Sequence, residues 1–514
     1  MIRKAAIAKA DPELNEFFNA LILEEFRQDS EAIAVGLDAL RGFIDALRDD
    51  VWMYVETDYV DKVYRDSYYR YYASKANVYA RNCIKISFFY NLSDPLPHEL
   101  DSSKYDYYQK HYGGFLVLRP TLPAIIGRNA ISPIILKRHD FVSCLVNIQS
   151  TVDGLRFSLN AFPASSQDGE TITCAETTMW SMMEYFGNKY PEYSPTLPSN
   201  ILKILEDVSF ERQLPSEGLS YDMLSYLAKK YGFGPRIYQR DGFGGSVNNI
   251  FSCLIESGIP LVVALGNTDY CQEKNGDLDE NIRSIGHAVL CIGHEKISGK
   301  HIDSLQGKGE RLPKTKTYLM DYDDIEKLFV FMDDNFPPYQ LDGLDTPAAR
   351  YEGFYDGANW MHCKIEHFVV PFYKKIYIEA FVVKQIVKLL IESPHFAELH
   401  GSMITTRTFL CSTRSYRDYV KRSDMTDEMK REISSLHLPK FIWIAEISTI
   451  EKLKTCKAQA LLILDATEAR IEDYAPVLLG LHDNKALVRV PKGLGGKTIN
   501  TNDFTIYTHN LKEN

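Results

Sequence analysis

Three separated segments carry the residues with which this sequence could do chemistry. The first is QDGETITCAETTMWSMMEYFG, residues 167–187, which holds Gln167 and Cys174. Thr173 followed by Glu176 is a capping-box pattern, so Thr173 is placed at the N-cap and Cys174 at the first helical position. Met179, Met182, Met183 and Phe186 then recur at helical spacing as a buried stripe. A thiol at that end meets backbone N–H groups with no helical partner and the positive pole of the helix dipole. Both favour the thiolate, which is the nucleophilic form. The same N–H groups, helped by the Gln167 amide, could stabilise an oxyanion. A cysteine at a helix end is also ordinary core filling, so the thiol needs partners before it means anything.

The second segment, GHAVLCIG, puts His287 at the start of an apolar strand in which His287, Val289 and Cys291 alternate with Ala288, Leu290 and Ile292. The first residues of a strand lie at a sheet margin, where a side chain can enter a cleft, and Gly286 lets another backbone come close. Taken by itself, such a histidine reads more simply as a structural residue. An imidazole acting on a thiol needs a group to hold its other nitrogen. The third segment, FVFMDDNFPP, offers Asp333, Asp334 and Asn335 at the end of the next strand. Alternation along Phe329, Phe331 and Asp333 favours Asp333, whereas a shift of one residue selects Asp334.

These residues need a helix and two strands to position them, and the pattern supplies more. The run IPLVVALG reads as a buried strand and KLFVFMDDN as another, with EGLSYDMLSYLAKKYGFG a helix opened by Ser220 and closed by Gly232. The cysteine helix is expected to end at Gly187, and the polar, basic stretch from Glu295 to Lys316 reads as a long surface loop. The chain should form roughly three domains at ~150 residues each. Residues 1–150 read as mixed α and β, with helical periodicity over 12–48 and a tyrosine-rich run over 54–79 taken as a helix with an aromatic face. Residues 155–375 hold the chemistry. Residues 376–514 open on an apolar helix and continue as strands, a structural or partner-binding part.

The order of glutamine, cysteine on a helix, histidine on a strand and aspartate at a strand end resembles the papain-like cysteine peptidases. It is most similar to the bacteriocin-leader-processing (double-glycine) peptidases and their soluble relatives. Gln167 with TCAETTMWSMMEYFG, GIPLVVALG leading into GHAVLCIGHE, and the strand ending at Asp333 carry the resemblance; the helix EGLSYDMLSYLAKKYGFG adds to it. Members of that family commonly place a glycine soon after the nucleophile, where this chain has Ala175 and Glu176. The resemblance implies an α+β papain-like core, the nucleophile helix packed on an antiparallel sheet, with mixed α/β domains on either side. It implies a Cys174–His287–Asp333 triad with Gln167 at the oxyanion and a peptide or protein substrate. An acyltransferase or transglutaminase-like enzyme would use the same triad, and a silent papain-like binding module would keep only the fold.

Bulk composition bounds the rest. A net charge of −11 argues against nucleic acid as the main partner, because phosphates call for clustered Lys and Arg. No apolar run reaches the ~18 residues of a membrane span, and the charged opening MIRKAAIAKA does not read as a secretory signal. Nine scattered cysteines without a CxxC fit a reducing, cytoplasmic setting. No HExxH or calcium loop occurs, and HCKIEH at 362–367 is too compact for a zinc site, so neither cofactor nor metal is expected. The flanking domains are candidate docking surfaces for a protein partner.

Overall fold

A computed structural model describes residues 4–26, 30–209, 214–215, 218–242, 247–274, 282–354, 357–490 and 493–513. Among the described residues the chain is a mixed α/β protein built on three large sheets of mostly antiparallel strands, with one further two-stranded pair. The first sheet has seven strands, from Lys4–Ala8 at one edge through Val51–Tyr59, Cys83–Tyr90, Tyr112–Leu118 and Ile126–Ile131 to the hairpin of Val146–Val152 and Leu155–Ala164. CIKISFFY and YGGFLVL are buried along almost their whole length, which a strand tolerates only when both its faces are covered. This sheet runs on past position 150 to Ala164.

The tyrosine-rich run is not one helix. It divides into the strand Val51–Tyr59 and the helix Lys62–Arg70, because Asp61 caps the helix by accepting from the backbone N–H groups of Val63 and Tyr64. Tyr64 and Tyr72 are buried, and Tyr72 packs against Tyr79 at 4.8 Å between ring centres. The tyrosines that face inward are therefore packing groups.

The second sheet carries the site. Its order is Gln340–Asp342, Phe329–Met332, Gly286–Glu295, Leu261–Gly266, Lys364–Tyr373 and Phe233–Gln239, all antiparallel. The cysteine helix, Cys174–Lys189, lies between this sheet and the last hairpin of the first one. Every residue from Ala175 to Phe186 is buried, so the helix is enclosed all round and not along one stripe. It also continues through Gly187 to Lys189. Gly187 is there for room: a Cβ at that position would sit 2.6 Å from the Pro195 ring.

The third sheet has eight strands and takes two of them from the middle of the chain. The basic stretch is not a plain loop; it forms the short helix Gly299–Asp303, then Glu310–Arg311, and leads into Tyr318–Asp321. Tyr318–Asp321 pairs in parallel with Met403–Ser412, and the sheet continues through Phe441–Ser448 and Ala460–Asp465 to Gly493–Thr498. Arg407 of this sheet binds Glu446 on the neighbouring strand and Glu256 at the end of the helix Val247–Glu256. His294 of the second sheet meets the same Glu256 at 2.9 Å, so a buried ionic cluster links the two sheets through that helix. Among the described residues no helix is long and apolar enough to cross a membrane.

Candidate active site

The cysteine helix starts as its cap pattern requires. The Thr173 backbone N–H donates to Glu176 Oε2 at 3.1 Å, and the Thr173 hydroxyl donates to the same carboxylate. Cys174 is half-buried at the first helical position. The helix grips the histidine strand at one residue from both sides. The Ala288 backbone N–H donates to Cys174 Sγ at 3.5 Å, and Thr178 Oγ1 donates to the Ala288 carbonyl at 3.1 Å. Sulfur and imidazole are thereby held in register by neighbouring backbone groups.

His287 pairs with Leu265 across the sheet and turns its ring toward the end of the next strand. Its Nε2 is 2.9 Å from Asp333 Oδ1 and 3.7 Å from Asp334 Oδ1; only the first is a hydrogen bond. With Nε2 engaged there, Nδ1 is the nitrogen left for Cys174. Burial disfavours the imidazolium, but the charge and hydrogen bond of Asp333, followed by those of Cys174, outweigh it and hold the His287 pKa well above the ordinary histidine value.

The acid is embedded in donors. Asp333 Oδ1 also accepts from the Asn335 backbone N–H at 3.1 Å, while Oδ2 accepts from Arg350 Nε and the Tyr351 hydroxyl, both at 2.9 Å. Burial raises the carboxyl, yet the His287 and Arg350 charges prevail and keep it below the usual carboxylate range. Arg350 also reaches Asp342. The Tyr351 ring is stacked on Trp360 at 4.0 Å, and Trp360 stands edge-on to His287 at 5.3 Å. Arg350, Tyr351 and Trp360 were not marked by the sequence, since they lie in a stretch with no helical or strand period.

Asp334 plays a different part. Thr177, one turn into the cysteine helix, donates to its Oδ2 at 3.1 Å. Burial pushes the Asp334 carboxyl up to about 6, against the pull of His287 and with the push of Asp333. His287, Asp333 and Asp334 each offer a ligand atom within 4.8 Å of the others, a spacing that could suit a metal ion. The donor set argues otherwise. Both oxygens of Asp333 are taken by hydrogen-bond donors, and the Arg350 guanidinium already supplies the positive charge a cation would bring.

Gln167 reaches the same place by a turn. The Asp168 carboxylate accepts from the backbone N–H groups of Glu170, Thr171 and Ile172 at 3.0, 2.7 and 2.9 Å, which folds residues 167–172 back against the start of the helix. Arg119, from the first sheet, donates Nη2 to the Gln167 carbonyl at 2.9 Å. The Gln167 side chain donates Nε2 to Asn335 Oδ1 at 2.9 Å. Gln167, Cys174, His287 and Asp333 thus belong to one bonded cluster, with Asp334 against its back.

Of the remaining thiols, Cys271 is half-buried as Cys174 is, but its Sγ faces Asn267 Oδ1 and the Arg283 carbonyl and not an imidazole. Burial raises the pKa of Cys83, Cys144, Cys253, Cys291, Cys363 and Cys411, which keeps them protonated and inert, whereas Cys456 is exposed with no such cluster around it. Comparison with known protein families and with curated proteins finds no match to this chain.

Proposed function

We propose that the chain is a cysteine peptidase or amide hydrolase with a papain-like core, working through Cys174, His287 and Asp333. The observation that supports this best is the buried His287, held through Nε2 by Asp333, with the Cys174 sulfur fixed against the backbone of the very next residue, Ala288. In this reading the Cys174 thiolate attacks the carbonyl carbon of an amide, and the carbonyl oxygen takes up the negative charge. Gln167 and the backbone N–H at Cys174 receive that charge; losing one such donor costs ~3 kcal/mol of barrier. The His287 imidazolium gives its proton to the leaving amine as the C–N bond breaks. Neutral His287 then deprotonates a water that attacks the thioester, the C–S bond breaks, and a carboxylic acid leaves. Arg350 and Tyr351 keep Asp333 ionised and fixed throughout.

The test is hydrolysis of a peptide library by the full chain, with products identified by mass. New peptide acids that vanish in Cys174→Ala and His287→Ala support hydrolysis. New amides formed with an added amine would move the reading to acyl transfer. A chain that cleaves nothing, and in which Cys174→Ala leaves the biological phenotype intact, would leave a binding module in its place.

A further inference from the structure

Asn335 joins the two halves of this site. Its Nδ2 donates to the Tyr351 hydroxyl oxygen at 3.0 Å, and its Oδ1 accepts from Gln167. A line of hydrogen bonds therefore runs from Gln167 through Asn335 and Tyr351 to Asp333, and each link has a direction. Asp333 is ionised and can only accept, so Tyr351 must donate its single proton to Oδ2. The other neighbour of that hydroxyl, His287 Nε2 at 3.3 Å, carries a proton for Asp333 and cannot take a second one. The Tyr351 oxygen is left as an acceptor, which turns the NH2 end of Asn335 toward it. Asn335 then presents its carbonyl oxygen to Gln167, and Gln167 is obliged to present nitrogen.

We infer that Asn335 and Tyr351 are positioning residues that set the polarity of the Gln167 amide. The charge on Asp333 is transmitted along the line as a choice between two amide rotamers. With the amide set this way, one Nε2 hydrogen goes to Asn335 and the second is free for the reacting carbonyl oxygen. Reversed, Gln167 would turn its own carbonyl oxygen to that position and repel the charge it is meant to receive. Since Arg119 already fixes the Gln167 main chain, the side-chain rotamer is the freedom that remains to be controlled. The catalytic consequence rests on the proposed function, but the orientation does not.

Two measurements separate the inference from that function. In the full chain labelled with 15N at glutamine, the Gln167 side-chain resonances are assigned by their loss in Gln167→Glu. They should be shifted and slow to exchange in the native chain, and should collapse to ordinary exposed-amide positions in both Tyr351→Phe and Asn335→Ser. Unchanged Gln167 resonances in Tyr351→Phe would overturn the inference whether or not the chain cleaves anything. On a substrate found in the library, kcat should fall about tenfold in either variant with KM nearly unchanged, and the double variant should fall no further. That is less than the loss on the order of 10²-fold that follows removal of a donor outright. Losses that multiply, or an equal fall in the alkylation rate of Cys174, would mean a general structural role and would also overturn it.

Discussion

Arg350 stands behind Asp333: its Nε is 2.9 Å from Oδ2, on the side of the carboxylate away from the Oδ1 that His287 holds. Both side chains are buried, at 6% and 0% exposure, so the guanidinium is what makes an ionised carboxylate tolerable in that position. Arg350→Met leaves Asp333 in apolar surroundings with one cation fewer. Breaking a buried pair in this way costs about 3–5 kcal/mol. The urea midpoint of the variant should fall accordingly. Its activity should also be lost at a higher pH than in the native chain as the solution is acidified, because the Asp333 pKa rises. A variant as stable and as acid-tolerant as the native chain would show that Arg350 does not support the acid.

The pH profile follows from His287 and Asp334. His287 has a raised pKa in the folded chain. Its contribution to stability is therefore complete below the unfolded value of ~6.5 and is lost as pH climbs through the folded value. Activity that needs the imidazolium should persist through neutrality and decline on the alkaline side. Asp334, pushed up to about 6, should put an inflection on the acid side. Asp334→Asn should abolish that inflection and stay active, whereas Asp333→Asn should be nearly inactive, with the alkaline limb moved down. The reverse ranking would make Asp334 the orienting acid.

Alkylation gives a readout that needs no substrate. Cys174 should react with iodoacetamide near neutral pH well ahead of half-buried Cys271 and exposed Cys456, and the buried thiols should not react in the folded chain. His287→Ala should slow Cys174 about tenfold or more while leaving Cys456 as it was, because only Cys174 has the imidazole beside it. Peptide mapping by mass resolves the sites. Equal rates at Cys174 and Cys456 in the native chain would remove the case for an activated thiol.

The part of this site that is legible in the sequence is the part that lies on periodic elements. Cys174 was placed by a capping box, His287 by strand alternation, and Asp333 over Asp334 by the same alternation. Arg350, Tyr351 and Asn335 are not legible as partners of Asp333, because the first two sit on the single 3-10 turn Ala349–Tyr351 and the third on the turn after Met332, neither long enough to carry a period. The strand Tyr318–Asp321 is not legible for a related reason. It is short, follows a polar stretch, and owes its existence to Met403–Ser412, far along the chain. Gly187 misled in the opposite sense: a glycine near a helix end suggests a cap, yet here it admits Pro195 against a helix that runs on.

The first sheet, which has no chemical motif of its own, acts on the site through Arg119. That side chain donates Nη2 to the carbonyls of Ile126 at 2.7 Å and Gln167 at 2.9 Å, so the start of the strand Ile126–Ile131 and the Gln167 turn share one guanidinium. Gly127 makes room for it, since a Cβ there would lie 2.9 Å from Arg119 Cγ and as close to the Val117 carbonyl oxygen, of which the side chain is the partner that can move. Two unlike substitutions should therefore have one effect. Arg119→Met removes the donor, and Gly127→Ala displaces it while leaving the guanidinium in the chain. Each should lower kcat severalfold with little change in KM, and neither should slow alkylation of Cys174, because the cysteine helix is held to the histidine strand through Ala288 and not through Gln167. Steady-state rates and alkylation rates of the two variants, measured side by side, decide it. If Gly127→Ala behaves as native while Arg119→Met does not, the guanidinium acts through its bulk in the core; if both lose alkylation as well, the first sheet supports the whole site and not the Gln167 turn alone.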